Sequence, residues 1–266
     1  QIQKEYTSAD IEKLSISEQI DMGLRPFELN LFPLSVKNMK REDEIFFSNF
    51  FFSYTKKDRA LQVPSLTLPA ANVIAIIGNN GAGKSTFARC ICGLEKRCKG
   101  IITINNKALN RKQRLSYCYM VMQDVGHQLF TDSVETECKL GTKTVDNACV
   151  DEALSMLSLN KLKNRHPLSL SGGQKQRLAV AISMLCDKKI LVFDEPTSGL
   201  DLRSMREVGT MMEKLSAQGK FILVITHDIE FIKTICSRVL IMSEGKITID
   251  LRGAEKENIE NHLLRN

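Results

Sequence analysis

The sequence predicts an α/β fold with a mostly parallel sheet, an antiparallel β layer beside it and an inserted helical subdomain. Three observations predict this fold. Apolar runs at 73–77, 190–193 and 221–225 have the length and continuity of strands buried on both faces of a parallel sheet. Short β-rich segments separated by turn residues, at 44–54 and 61–68, are typical of antiparallel strands. From about 126 to 172 the pattern becomes helical.

The composition is that of a globular protein with one large core. A chain of 266 residues with 43% hydrophobic and 26% charged residues can bury an α/β core and a small subdomain. No apolar stretch approaches the roughly 18 residues that suggest a membrane span. The polar start at Gln1 has no secretory signal and, because it lacks Met, suggests a processed product or a fragment.

Charge and cysteine content favour no special class of partner. The net charge of +6 would suit nucleotides, a membrane surface or nucleic acid, but the basic residues are scattered. We therefore expect an ordinary solvated surface and no nucleic-acid partner. The eight cysteines include no C-x-x-C pair, and most have apolar neighbours, as expected of small hydrophobes in a reducing cytosol. A structural metal site is not expected.

The first 43 residues show no strong core pattern, and we expect a tail or linker that precedes a domain at 44–266. They contain Pro26 and Pro33 among charged and polar turns. From Glu44, "IFFSNFFFSY" and "LQVPSLTL" predict the strands of the antiparallel layer.

The next segment, "IIGNNGAGKST", predicts a phosphate-binding loop. Its glycines, lysine and serine fit G-x-x-x-x-G-K-[ST] directly after a buried strand. Such a loop exposes backbone N–H groups, and the following helix directs its positive end at the same point. Lys84 would neutralise the terminal phosphates of a nucleotide, and the Ser85 hydroxyl would bind Mg²⁺. The predicted nucleotide-binding residues of this segment are Gly78, Asn79, Asn80, Gly81, Ala82, Gly83, Lys84, Ser85 and Thr86.

The elements after the loop follow from local patterns. "TFARCICGLEK" predicts a helix, "GIITINNKAL" a hairpin and "SYCYMVMQD" a further strand. The helical subdomain at about 126–172 has an apolar face that is predicted to comprise Val145, Ala148, Cys149, Ala153, Leu154 and Leu157.

Two carboxylates follow the second buried run, in "ILVFDEP". At the carboxyl end of a parallel strand they point to the crevice where open α/β sheets bind ligands. Asp194 suits Mg²⁺, and Glu195 would reach the water that attacks the γ-phosphate. Adjacent carboxylates alone are usually solvated, but beside a phosphate loop they indicate a site.

The segment "LSLSGGQKQRLAVA" resembles the signature motif of ATP-binding cassette (ABC) ATPases, whose core is L-S-G-G-Q. Other segments match the family in order: "PTSGLD" resembles the D-loop, His227 the switch histidine, Gln123 the Q-loop glutamine and Tyr54 the aromatic that stacks on adenine. The resemblance covers 44 to about 250 and implies a P-loop NTPase core. It adds four signature residues to the nucleotide-binding set: Ser171, Gly172, Gly173 and Gln174.

Three of these residues also have purely structural interpretations. Ser171 could simply cap a helix, His227 could be a buried histidine at a strand end, and Tyr54 could pack in the core beside neighbouring phenylalanines.

The resemblance implies an ATPase that works in pairs, with ATP and Mg²⁺ as cofactors. In that arrangement Ser171 and Gly173 of one domain complete the phosphate site of another, either a second copy or a companion cassette. Glu195 polarises the attacking water and His227 contacts the γ-phosphate. Gln123 senses Mg²⁺, which it would bind with Ser85 and Asp194, and links the site to the helical subdomain.

A transport ATPase is the leading interpretation. Coiled-coil ABC ATPases of DNA repair would need a long heptad insertion, but only 87 residues separate Lys84 from Ser171. Translation-type ABC proteins usually carry two cassettes separated by a long charged linker, whereas this sequence contains one cassette. The segment "MQDVGHQLFTDSV" is similar to the segment that follows the Q-loop in energy-coupling-factor ATPases, which drive vitamin and metal-ion uptake. The resemblance implies transmembrane coupling and substrate-binding subunits and a peripheral location at the cytoplasmic face of the membrane. Another ABC importer or an exporter is the alternative.

The apolar residues of this segment pose a question that the sequence leaves open. Phe130 could belong to an exposed groove that receives a helix of a membrane protein, or it could pack in the subdomain core. "SEQIDMGLRPFELN" in the tail resembles the end of such a cassette, so we also expect that a cassette precedes this one.

Overall fold

Two sheets form the framework of the computed structural model, which describes residues 43–55, 60–140, 142, 145–253, 255 and 259. The tail predicted for 1–43 lies outside the described residues except for Asp43, and the partition into domains stays a prediction. The ten strands are β1 (Glu44–Phe52), β2 (Leu61–Pro69), β3 (Val73–Ile77), β4 (Lys99–Ile104), β5 (Lys107–Ala108), β6 (Cys118–Val121), β7 (Ile190–Asp194), β8 (Phe221–Ile225), β9 (Arg238–Ser243) and β10 (Lys246–Arg252).

The larger sheet has the order β10-β9-β3-β8-β7-β6. Its neighbours pair in parallel from β9 to β6, and β10 is antiparallel to β9. Every residue of β3, β7 and β8 is buried, as their continuous apolar runs predict. Because these strands are parallel, the segments that follow them meet at one edge of the sheet.

The smaller sheet has the order β2-β1-β4-β5 and is antiparallel, which confirms the predicted layer. The predicted hairpin is present, and Asn105 and Asn106 turn it with φ of 50° and 64°. Phe47 of β1 packs against Phe87 of the first helix, with ring centroids 5.7 Å apart. These aromatic contacts connect the antiparallel layer to the element that carries the phosphate loop.

Seven helices complete the described part of the chain. They are α1 (Lys84–Ile91), α2 (Arg111–Tyr117), α3 (Val134–Lys139), α4 (Asn147–Met156), α5 (Gly172–Leu185), α6 (Leu202–Ala217) and α7 (Ile229–Ile235). Helices α3 and α4 pack against α5, with short 3₁₀ turns at Val125–Gln128, Asn160–Leu162 and Pro167–Ser169. Among the residues that the structure describes, no helix combines the length and the apolarity that a membrane crossing requires.

The buried face of α4 differs from the predicted one at its amino-terminal end. Val150, Ala153, Leu154, Met156 and Leu157 are buried, whereas Ala148 is exposed. The helix begins only at Asn147, where Asp146 caps it by accepting a hydrogen bond from Cys149. Val145 therefore lies outside the helix, and Ala148 lies in its open first turn.

Candidate active site

A cavity of about 520 Å³ lies where the parallel strands end. It brings together residues from five segments that are far apart in the sequence. Of the predicted site residues, those that line it are Tyr54, Asn80, Gly81, Gly83, Lys84, Ser85, Thr86, Gln123, Asp194, Glu195 and His227. Ile225, at the end of β8, also lines it. The strand order places a phosphate loop, two carboxylates and a histidine around one space.

The phosphate loop depends on its glycines. Gly78, Gly81 and Gly83 have φ of 145°, 83° and 98°, which other residues rarely adopt. A Cβ atom at Gly78 would overlap the carbonyl of Met242, so the loop can lie against β9 only with glycine there. Lys84 is buried, and its Nζ donates to the carbonyls of Gly78 at 2.6 Å and Asn79 at 3.0 Å. The loop thus holds a fixed cation beside its backbone N–H groups.

Asp194 ends β7 as a buried carboxylate. Burial raises its pKa, while a hydrogen bond with the Ser85 side chain and the charge of Lys84 oppose that shift. A hydroxyl and a carboxylate side by side are the oxygen ligands that Mg²⁺ prefers. In the described part of the chain, no three His, Cys, Asp or Glu residues are grouped to hold a metal by themselves, and the cysteines are free thiols.

Glu195 is held in an unusual backbone conformation, with φ of 53°. Its N–H donates to the Ile225 carbonyl at 2.8 Å, and its own carbonyl accepts from Ser198 N–H and from Gln176 Nε2, both at 3.2 Å. These bonds fix the backbone so that the side chain enters the cavity.

The Glu195 carboxylate has little solvation. Its Oε1 is buried and lies 3.0 Å from Nε2 of His227 in an ion-pair contact, but it has no hydrogen-bond partner among the described residues. Burial, followed by the nearby Asp194 carboxylate, raises the pKa of Glu195 from 4.5 to about 7. A base with a pKa near the working pH is suited to proton transfer.

His227 and Tyr54 both face the cavity, so the structural interpretations of these two residues are wrong. The His227 side chain is 70% exposed, which is not the burial expected of a core histidine. Tyr54 is 53% exposed, while Phe50 and Phe52 are buried. The Tyr54 hydroxyl pairs with Thr86 Oγ1 at 2.8 Å, and its ring stands edge-on to Phe52. This leaves an aromatic face at the rim of the cavity.

A second cavity, of about 440 Å³, holds the signature segment. Ser171, Gly172, Gly173 and Gln174 line it together with residues 198–201, and none of the described residues lines both cavities. Ser171 does cap helix α5: its Oγ accepts from Gln174 N–H at 3.3 Å, and Gln174 Oε1 accepts from Ser171 N–H at 3.0 Å. The capping interpretation is therefore confirmed, and the capped helix end still faces open space.

The apolar residues of the segment after Gln123 differ in their exposure to solvent. Val125, Leu129 and Val134 are buried, whereas Phe130 is 75% exposed. Glu137, itself buried, fixes this turn because its Oε2 accepts from the Phe130 and Thr131 N–H groups at 2.9 and 2.7 Å. Packing of Phe130 in the subdomain core is thus excluded.

Sequence reasoning missed Gln176 as a site residue. It is buried on α5 and holds the backbone of Glu195, although it lies outside the cavity itself. A signal was available, because Gln176 lies two positions before the apolar run "LAVAISML" on a helix that is buried on most sides.

Comparisons with known protein families and with individual proteins agree on one family. A family profile described as "ABC transporter" matches residues 61–198. A putative ABC transporter ATP-binding protein of Treponema denticola is 59% identical over 203 residues, or 76% of this chain and 42% of that protein. The methionine import ATP-binding protein MetN of Protochlamydia amoebophila is 33% identical over 225 residues, or 80% of this chain and 66% of that protein.

Among solved structures, cbiO1 of Clostridium perfringens, described as part of the ABC transporter complex cbiONQ, has a TM-score of 0.70. It is 29% identical, and the match covers 83% of this chain and 92% of that one. The chain spans about half the length of several curated relatives that it matches.

Proposed function

The chain belongs to the ABC transporter family, and on that premise we propose that it hydrolyses ATP to power an energy-coupling-factor type importer of a vitamin or metal ion. The observation that carries the ATPase proposal is the shared cavity of the phosphate loop, Asp194, Glu195 and His227. Phosphoryl transfer depends chiefly on positioning and charge stabilisation, and these groups supply both.

The cavity suits a nucleotide from its phosphates to its base. Lys84 and the loop N–H groups would bind the β- and γ-phosphates, and Tyr54 would stack on adenine. A bound Mg²⁺ would neutralise phosphate charge, with Ser85, Asp194 and Gln123 as the residues that would hold it. These three residues line the same cavity as the phosphate loop, which supports that set.

Hydrolysis would use Glu195 and His227. Glu195 would orient and polarise the attacking water through a carboxylate that its surroundings leave poorly solvated. His227, exposed at the cavity mouth, would contact the γ-phosphate.

The separation of the two cavities supports a paired arrangement. The signature segment of this chain does not line its own phosphate cavity, yet it offers a hydroxyl and the amino-terminal end of α5, a 14-residue helix. We infer that it completes the site of a partner cassette, either a second copy or a companion. ATP would then bridge the two, and hydrolysis would release them.

A membrane partner would bind near Phe130. An aromatic side chain that is 75% exposed, in the segment that follows Gln123, is suited to contact a helix of a coupling subunit. The chain would then lie at the cytoplasmic face of the membrane as a peripheral subunit. The similarity to cbiO1 supports the energy-coupling-factor type, and the similarity to MetN favours another importer as the second candidate.

The ATPase proposal is tested by Glu195→Gln. We expect the variant to retain ATP binding and to lose hydrolysis roughly a hundredfold or more. ATP should then trap it as a dimer with itself or with its companion, which light scattering detects. Near-normal turnover would contradict the role of Glu195, and an unchanged mass in the presence of the companion would contradict the sandwich.

The membrane partner is tested by Phe130→Asp, with Phe46→Asp as the matched control on the exposed face of β1. We expect only Phe130→Asp to lose membrane subunits in a pull-down from the full-length protein, with the melting temperature and ATP binding unchanged. Loss of binding together with stability would contradict the docking role. Identification of the small molecule bound to the co-purified membrane subunits separates the two importer types.

A further inference from the structure

We propose that Gln128 is a positioning residue for Gln123: its side-chain amide bridges the backbone of Met120 and Met122 and fixes where the loop leaves the sheet. Gln128 Nε2 donates to the Met120 carbonyl at 2.7 Å, and Met122 N–H donates to Gln128 Oε1 at 2.8 Å. The inference rests on the proposed function, in which Gln123 senses Mg²⁺ and the γ-phosphate.

The bridge has a physical cause in the sheet. Strand β6 is the last strand in the order, so the backbone groups on its outer side have no neighbouring strand. A primary amide carries one acceptor and one donor group in the spacing of a peptide, and Gln128 uses both as a further strand would. The hydrogen bond between Met122 and Gln128 therefore closes the segment 122–128 into a loop.

Two further features hold the rest of the loop in place. Val125 and Leu129 are buried, and the Asp124 side chain accepts from Gly126 N–H at 3.0 Å. Gln123 is itself exposed and lines the phosphate cavity; it directly follows Met122, whose N–H is held by Gln128, and it lies two positions before the buried Val125. Gln128 is only half-buried and does not line that cavity, so it acts on Gln123 through the backbone.

A positioning role differs from a purely structural one in its dependence on Gln123. If the bridge matters only because it places Gln123, then its loss should have no effect once the Gln123 side chain has been removed. If it only stabilises the fold, its effect should persist in that background and should follow the loss of thermal stability.

The experiment is a double-mutant cycle on ATP hydrolysis by the full-length protein, with Mg²⁺ titrated. We expect Gln128→Ala to raise the half-saturating Mg²⁺ concentration and to lower kcat, each about fivefold, with the KM for ATP unchanged. In a Gln123→Ala background we expect Gln128→Ala to change either value less than about twofold. Gln113→Ala, which removes a glutamine hydrogen bond from the cap of α2 outside the cavity, is the matched control and should change neither.

A second variant, Gln128→Glu, retains the size of the side chain and the acceptor for Met122 but loses the donor to Met120. Because the ionised carboxylate cannot donate to the Met120 carbonyl, Gln128→Glu should lower kcat and raise the half-saturating Mg²⁺ concentration as Gln128→Ala does, and in the Gln123→Ala background it too should change either value less than about twofold. Multiplicative effects of the two alanine substitutions, or an effect of Gln128→Glu that persists in the Gln123→Ala background, would overturn the positioning role alone. A wild-type protein without ATP hydrolysis would instead overturn the proposed function and this inference with it.

Discussion

Glu195→Gln should stabilise the nucleotide-free protein while it abolishes hydrolysis, and the stabilisation should depend on pH. The folded state raises the pKa of Glu195 from 4.5 to about 7, so folding disfavours the ionised form. Well above pH 7 the carboxylate is ionised in both the folded and the unfolded state, so the full free-energy cost of ionising the buried group destabilises the folded state. Below pH 4.5 it is protonated in both states, and the cost disappears.

The magnitude follows from the size of the shift. Since one pKa unit corresponds to about 1.4 kcal/mol, the cost is about 3 kcal/mol at pH 8 and below about 1 kcal/mol at pH 5. Glutamine is nearly isosteric and bears no charge, so the variant avoids this cost. For a domain of this size, about 3 kcal/mol raises the melting temperature by roughly 6–12 °C.

The assay is thermal unfolding without nucleotide at pH 5, 6.5 and 8, followed by circular dichroism. We expect the gain in melting temperature to grow with pH over this range. Glu230→Gln is the control, because it neutralises an exposed carboxylate that only approaches Arg206 at 3.7 Å and should matter little. A gain that is the same at all three pH values, or a variant less stable than the wild type at pH 8, would refute the assignment of a destabilised carboxylate.

Three further predictions concern the same site. ATP hydrolysis should fall to about a tenth of its plateau at pH 6 as the Glu195 carboxylate is protonated, and a flat profile between pH 6 and 8 would contradict this. Lys84→Ala should weaken ATP binding at least about tenfold in a calorimetric titration, because it removes the cation proposed to bind the phosphates; an unchanged Kd would count against that role. Gln176→Leu removes the donor to the Glu195 carbonyl, at a cost of about 1 kcal/mol, and should slow hydrolysis several-fold with unchanged ATP affinity. A variant with the wild-type rate would show that the other bonds suffice to hold Glu195.

Much of the fold could be predicted because its signals are local. A run such as Val73–Ile77 is apolar at every position, and only a strand buried on both faces requires that. The hairpin at Asn105 and Asn106 follows in the same way from two residues that tolerate positive φ. The buried face of α4 was predicted less well at its amino-terminal end, because the helix begins only after the cap at Asp146, which leaves Val145 outside it and Ala148 in its exposed first turn.

The site residues were predicted by type and spacing, but their environments were not. Tyr54 and the phenylalanines before it are all aromatic in sequence, and only the tertiary packing buries Phe50 and Phe52 of β1 while it leaves Tyr54, just beyond the strand, at the cavity. Leu129 and Phe130 are adjacent and similar, yet one is buried and the other exposed, because Glu137 fixes the turn between them.

By itself the sequence determined which residues are candidates for binding phosphate and in which order the strands and helices follow. Glycine freedom, apolar periodicity and side-chain chemistry are properties of neighbouring residues, and they do not depend on what the chain contacts elsewhere. Only the tertiary structure decided that the phosphate loop, Gln123, Asp194, Glu195 and His227 share one cavity while Ser171 faces another. It also decided the raised pKa of Glu195 and the bridges from Gln128 and Gln176, because burial and hydrogen-bond partners come from segments distant in the chain.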